Sequence, residues 1–190
     1  DDAAAMAEFA ADCAVITYEF ENVPVAPLKM LGAKVQPGLR ALEVAQDRVA
    51  EKRFVEALGG RPAPWLAVDA AEDLEQALAA IGSPGILKTR REGYDGKGQW
   101  RIMTDHDATG IVVGDQPLVY EGFVHFTAEF SVILARGHDG ALAFWDSAEN
   151  VHEGGILSRS TVPASNAILA QVPAARELAA KVAEALDYVG

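Results

Sequence analysis

The apolar positions change their period several times along the chain, and each change predicts an element. Residues 3–12 are Ala-rich and helical in character, and Ala14-Val15-Ile16-Thr17-Tyr18 has the β-branched, apolar make-up of a buried parallel strand. Helix then strand points to an α/β unit. Glu19-Phe20-Glu21-Asn22-Val23-Pro24 is then a turn at the strand's C-terminal end, where open α/β sheets bind ligands. Glu19 and Glu21 are either site carboxylates or solvated caps of a helix starting near Pro24. Over residues 38–58, Leu39, Leu42, Ala45, Val49, Phe54 and Leu58 recur at helical spacing with a break, and the other face holds Asp47, Arg48, Glu51, Lys52 and Arg53.

Gly59-Gly60 stops that helix pair, and Pro62-Ala63-Pro64 is an extended linker into Trp65-Leu66-Ala67-Val68, which sets a domain boundary there. Residues 69–81 predict a second amphipathic helix, with Asp69 as N-cap, acids in its first turns and Gly82 beyond its end. Strands are expected over residues 85–89, 99–103 and 117–121. Residues 130–135 and 142–146 should form a hairpin around Gly137-His138-Asp139-Gly140. Residues 164–186 are helical in composition, with Pro173 marking a start or a kink. No internal repeat or low-complexity tract interrupts the pattern.

With 190 residues, 50% of them hydrophobic and 23% charged, the chain can bury a core of one domain or two small ones. A net charge of -12 excludes diffuse electrostatic binding to nucleic acid or anionic lipid, so any phosphate ligand must be held by a few placed residues. The single cysteine, Cys13, makes no internal disulfide and fits a reducing compartment, and the cytoplasm is the default location. No apolar run is long enough to span a bilayer, and Asp1-Asp2-Ala3 has no basic leader region. A start without Met and an apolar close at Leu186-Asp187-Tyr188-Val189-Gly190 carry the expectation of a piece of a longer chain.

Residues 88–99 stand out against this acidic background, with four cations (Lys88, Arg90, Arg91, Lys97) and two acids (Glu92, Asp95) around three glycines. Glycines let backbone N–H groups approach an anion while lysine supplies charge, so the stretch is either a phosphate-binding hairpin or a solvated β-turn. It is not the common P-loop, since Gly98 follows Lys97 where Ser or Thr would hold a metal, and it lacks the third glycine of a dinucleotide fingerprint. Tyr120-Glu121-Gly122-Phe123-Val124 and then Glu129-Phe130-Ser131 put one acid at a strand end and another at the start of the next strand. Such a linker can meet adenine with its backbone and a ribose diol with a carboxylate. Glu149-x-x-His152 has a metal-ligand spacing only on a helix, and the glycines at 154 and 155 favour a strand or turn, which leaves His152 as a residue for a phosphate's neighbourhood. His106, His125 and His138 are surface residues on this reading, and Cys13 packs beside a strand.

Ile16-Thr17-Tyr18-Glu19-Phe20-Glu21, Gln46-Asp47-Arg48, Lys88 with Gly93-Tyr94-Asp95-Gly96-Lys97-Gly98-Gln99, and Glu129 with Asn150-Val151-His152 together resemble the N5-carboxyaminoimidazole ribonucleotide synthetase family of ATP-grasp ligases, also described as the phosphoribosylaminoimidazole carboxylase ATPase subunit. The resemblance covers essentially the whole chain. It implies an α/β and α+β fold: the end of a doubly wound, Rossmann-like pre-ATP-grasp domain, then an ATP-grasp fold, truncated at both ends. Residues 1–37 would be the remainder of the first domain and 38–63 linking helices. Residues 64–122 would be ATP-grasp subdomain 1 with the glycine-rich loop, and 123–190 an incomplete subdomain 2.

The implied reaction is ATP-dependent carboxylation of 5-aminoimidazole ribonucleotide by bicarbonate through carboxyphosphate, in purine biosynthesis, with ATP and Mg2+ as cofactors. By the same likeness Arg48 and Lys88 contact ATP phosphates, and Gly93, Tyr94, Asp95, Gly96, Lys97, Gly98 and Gln99 fold over them. Glu121, Gly122, Phe123 and Val124 form the adenine-facing linker, Glu129 is the ribose acid and His152 a further nucleotide contact. Glu19, Tyr94 and Asp95 lie on the ribonucleotide side. The family's metal-binding acids fall beyond Gly190, so no metal ligand is expected in this chain, and these residues alone are not expected to turn over substrate. The expected assembly is a cytoplasmic homodimer, with no nucleic acid or membrane partner. The alternatives are another ATP-grasp carboxylate-amine ligase, such as a formate-using purine ligase or a biotin carboxylase, and a non-catalytic nucleotide-binding module.

Overall fold

The computed structural model describes residues 3–92, 98–114, 116–154 and 156–190, which form two compact units, Gln46–Thr127 on one hand and Asp1–Ala45 with Ala128–Gly190 on the other. The helix from Arg48 to Ala57 belongs to the first of these units, its Arg48 guanidinium donating to the Thr89 carbonyl of a following strand.

In the unit of residues 46–127, helix α4 (Arg48–Ala57), strand β1 (Trp65–Val68), helix α5 (Ala71–Ile81) and strands β2 (Gly85–Thr89), β3 (Gln99–Ile102) and β4 (Leu118–Gly122) build a wholly antiparallel sheet of order β1-β4-β2-β3. Val68, Leu87, Leu118 and Tyr120 bury one face of this sheet against Leu74 and Ala77 of α5. The expected helix cap is corrected: Ala70, not Asp69, is the N-cap of α5, and the Asp73 carboxylate reaches back to accept the Asp69 and Ala70 N–H groups at 3.0 and 2.8 Å. Gly82, at φ +81°, ends the helix as expected. Tyr120 donates its hydroxyl to the Gly82 carbonyl at 2.8 Å, and its ring passes so close to Gly85 that a Cβ there would lie 2.2 Å from the hydroxyl oxygen.

The other unit starts with helices α1 (Ala3–Ala11), α2 (Val25–Lys29) and α3 (Leu39–Ala45). The strand expected over residues 14–18 is reduced to one parallel bridge between Ile16 and Val35, because among the described residues Ile16 has no further strand to pair with. The second half holds a sheet of β5 (Glu129–Ser131), β8 (Ala148–Glu153) and β9 (Ile156–Thr161), a ribbon of β6 (Leu134–Arg136) and β7 (Leu142–Phe144), and helices α6 (Asn166–Leu169) and α7 (Val172–Ala185). The single strand expected over 130–135 is two: the chain leaves β8 after Ser131 and pairs with β7 from Leu134. Pro173 marks the start of α7, as its missing N–H favours. Phe130 packs on Ala164, Ile168 and Val172 to close a small core.

Candidate functional site

In the unit of residues 46–127 the site begins at the break between α3 and α4. Asp47 has extended backbone and caps α4, its Oδ1 accepting the Val49 and Ala50 N–H groups at 2.9 and 3.1 Å. The same carboxylate receives the Arg90 guanidinium at 2.9 and 3.3 Å and lies 3.6 Å from Arg91. Burial is the largest single influence on Asp47 and pushes its carboxyl up, but the Ala50 N–H, the Arg90 guanidinium and the Val49 N–H together outweigh it and hold the group below the usual aspartate value. Arg48 completes the seam: its backbone N–H donates to the Arg90 carbonyl at 2.9 Å, and its Nη1 donates to the Thr89 and Glu92 carbonyls at 2.7 and 2.8 Å. The N-terminus of α4 is thereby fixed to the C-terminal end of β2.

One turn along α4, Lys52 lies on the same helix face as Arg48. In register, Lys88 of β2 stands opposite Val119 of β4, two positions from Glu121, so both side chains share a sheet face. Trp65 of β1 is paired with Glu121 on that face, and α4 covers it: Trp65 donates Nε1–H to Glu56 at 2.9 Å and lies under the Arg53 guanidinium at 5.9 Å. Between helix and sheet Glu121 bridges two ammonium groups, Oε2 to Lys88 Nζ at 3.0 Å and Oε1 to Lys52 Nζ at 3.2 Å. The Glu121 side chain is only 10% exposed, so this pairing offsets the cost of burying its charge. The trio carries one net positive charge, beside Arg48, and can hold an anion such as a phosphate group.

Thr89 at the end of β2 donates its N–H to the Gly98 carbonyl at 2.9 Å, closing the mouth of the β2–β3 connection. Gly98 has φ +71°, and a Cβ there would lie 2.8 Å from the Thr89 methyl, so both backbone and space require glycine. Gln99 opens β3 opposite Lys88. Gly93, Tyr94, Asp95, Gly96 and Lys97 lie outside the described residues. At the end of β4, the Gly122 and Phe123 N–H groups donate to the Pro64 and Pro84 carbonyls at 2.8 and 2.9 Å, and Phe123 and Val124 are exposed. Glu121 thus sits inside the sheet with its carboxylate on two lysines, while Phe123 and Val124 form the connecting segment.

In the other unit, register places Glu129 opposite Asn150, and a bulge between Val151 and His152 re-aims the histidine. His152 Nδ1 lies 2.9 Å from Glu129 Oε2. An ionised carboxylate only accepts, so the pair puts the hydrogen on Nδ1 and leaves Nε2 as the other ring atom for a ligand. Asn150 is held by Ser131 at 2.6 Å and Ser160 at 2.8 Å, and Glu149 accepts the Ser165 N–H at 2.9 Å, so Glu149 and His152 serve different partners. Glu19 lies exposed in the segment after the Ile16–Val35 bridge.

The structure therefore joins Lys88 with Glu121 and sets Arg48 beside them in one unit, and joins Glu129 with His152 in the other. On sequence alone Lys52 and Asp47 read as part of the charged face of a helix, with Asp47 also in the Gln46-Asp47-Arg48 block of the family likeness, and the Asp47–Arg90 pair is not visible. The available signal is a charge in an apolar strand, Leu118-Val119-Tyr120-Glu121, which needs a partner, together with the i, i+4 spacing of Arg48 and Lys52. Among the described residues no three His, Cys, Asp or Glu side chains form a group that could hold a metal ion by themselves.

Two family models match the chain, the ATP-grasp domain over residues 53–190 and the ribonucleotide synthetase preATP-grasp domain over residues 1–46. The N5-carboxyaminoimidazole ribonucleotide synthase of Brucella melitensis is 49% identical over 196 residues, covering 100% of this chain and 54% of that protein. The crystal structure of N5-carboxyaminoimidazole ribonucleotide synthetase from Thermus thermophilus superposes with a TM-score of 0.90 at 43% identity, over 100% of this chain and 52% of that one. That of the Staphylococcus aureus N5-carboxyaminoimidazole synthetase complexed with ADP gives a TM-score of 0.92 at 31% identity, over 100% and 51%. The chain spans about half the length of the relatives it matches.

Proposed function

The chain belongs to the ATP-grasp family, and from that premise we propose that the protein carboxylates 5-aminoimidazole ribonucleotide at the expense of ATP, forming N5-carboxyaminoimidazole ribonucleotide for purine biosynthesis. A bicarbonate oxygen attacks the γ-phosphorus of ATP, ADP leaves, and carboxyphosphate results. The N5 amine then attacks the carboxyl carbon, the carbon–oxygen bond to phosphorus breaks, inorganic phosphate leaves and the amine gives up a proton. The observation that carries this reading is the cationic seam of Arg48, Lys52 and Lys88 around a buried Glu121, in a chain 49% identical to a synthase of that name.

On this reading Arg48 and Lys88 neutralise charge on the triphosphate, a task of position and electrostatics that needs no protein nucleophile. Residues 93–99 cover the phosphates and keep water from carboxyphosphate. Residues 121–124 meet the adenine through their backbone, the Glu121 carboxylate being taken up by Lys52 and Lys88. Glu129, oriented by His152, accepts from the ribose hydroxyls through its remaining lone pairs. Glu19, Tyr94 and Asp95 face the ribonucleotide.

A magnesium ion accompanying ATP, a homodimer and a cytoplasmic location belong to the same proposal, supported by the family likeness alone. No helix among the described residues is long and apolar enough to cross a membrane. The proposal is tested with 18O-labelled bicarbonate, ATP and 5-aminoimidazole ribonucleotide. Carboxyphosphate chemistry transfers one labelled oxygen to inorganic phosphate, and label-free phosphate contradicts it.

A further inference from the structure

We propose that Lys52 is a positioning residue for the nucleotide, the second counter-charge that frees Lys88 to leave Glu121 for a phosphate; this rests on the reading of Lys88 as a phosphate ligand. Each Glu121 oxygen has its own ammonium, Oε2 that of Lys88 at 3.0 Å and Oε1 that of Lys52 at 3.2 Å. Phosphate and carboxylate compete for the same Nζ of Lys88. With a side chain 10% exposed, Glu121 cannot turn to bulk water when Lys88 leaves, and an unpaired buried carboxylate is strongly unfavourable. Lys52 removes that obstacle, because it binds the other oxygen and its pairing survives the departure of Lys88.

The backbone places Lys52 for this task. It stands one turn after Arg48, whose guanidinium is bonded to the carbonyl of Thr89, the residue next to Lys88. Asp47 caps the same helix and grips Arg90 on the far side of Thr89. α4 is therefore held against β2 at its N-terminus, with the Lys52 side chain 14% exposed and turned to the sheet. The lysine never has to touch the nucleotide, and its effect is transmitted through Glu121.

The experiment compares Lys52→Met and Lys52→Arg with wild type in the full-length protein that contains this chain, reading KM for ATP, kcat for phosphate release and melting temperature. Because the pairing matters equally once ATP is bound and at the transition state, Lys52→Met is expected to raise KM for ATP about tenfold or more with kcat within about threefold. Lys52→Arg, which keeps the charge, is expected to restore KM to within about threefold of wild type. A Lys52→Met enzyme with an unchanged KM, whatever its melting temperature, overturns the proposal, and so does an arginine variant as impaired as the methionine one. Should Lys52→Met not fold, Lys52→Gln replaces it under the same criterion. Lys88→Met serves as the control: if it leaves ATP binding intact, the nucleotide reading itself fails, whereas loss there with no effect at Lys52 removes only the present inference.

Discussion

Replacing Asp47 tests whether one buried carboxylate holds α4 on the sheet. In Asp47→Ala the Val49 and Ala50 N–H groups lose their acceptor, which costs about 1 kcal/mol for a capping residue. The same change strips Arg90, 22% exposed, of its bonds at 2.9 and 3.3 Å, and bonds to charged groups contribute roughly 1.5–3 kcal/mol. The expected loss is then about 2–4 kcal/mol, a fall in melting temperature of roughly 5–15 °C for a chain of this size. Asp47→Asn caps the helix as well as Asp does, so it should lose only the ionic part.

The pH dependence gives the sharper test. The folded pKa of Asp47 lies below its ordinary value of 3.8, so between the two the unfolded chain binds the extra proton and stability rises with pH. The advantage of wild type over Asp47→Asn is therefore complete above the ordinary value and is lost as pH falls through the lowered, folded one. Urea unfolding of both proteins across this range measures it. An alanine variant within about 0.5 kcal/mol of wild type, or a gap to Asn that stays constant down the acid limb, refutes the assignment.

Three further substitutions probe other parts of the sheet and the site. Gly85→Ala puts a Cβ 2.2 Å from the Tyr120 hydroxyl and 2.7 Å from the Glu121 carbonyl, so overpacking should destabilise by about 1–3 kcal/mol in urea unfolding; a neutral change would mean that β2 and β4 are not packed as described. Lys88→Ala should abolish most ATP turnover, by roughly a hundredfold, while far-ultraviolet circular dichroism stays native; equal activity removes Lys88 from the site. Glu129→Ala should weaken nucleotide affinity by about 1–3 kcal/mol in titration calorimetry, and unchanged affinity rules out the ribose contact.

Elements whose burial is one-sided were legible in the chain. Gly85–Thr89 alternates buried and partly buried residues, and α5 carries its apolar stripe between an acidic first turn and Gly82, so both appear where periodicity puts them. β9 was invisible because every residue from Ile156 to Thr161 is exposed and leaves no pattern of burial to read. The expected strand at 14–18 has the right composition, but strand character is completed by neighbours, and among the described residues only Val35 supplies one. In the site, Arg48, Lys88, Glu129 and His152 stood out by residue type and motif. The Lys52–Glu121 pair did not, since a lysine on a charged helix face resembles any solvated lysine until β4 is seen to be buried on both sides. Asp69 lost the cap to Ala70, one residue later, with the Asp73 carboxylate reaching back to the Asp69 and Ala70 N–H groups ahead of the helix.

Phosphate release from ATP by the full-length protein that contains this chain, with bicarbonate present and 5-aminoimidazole ribonucleotide added or withheld, tests the central claim most directly. Release should depend strongly on the ribonucleotide and generate an equimolar carboxylated product. Release indifferent to the ribonucleotide would contradict that claim and leave an ATP-grasp protein acting on another acceptor.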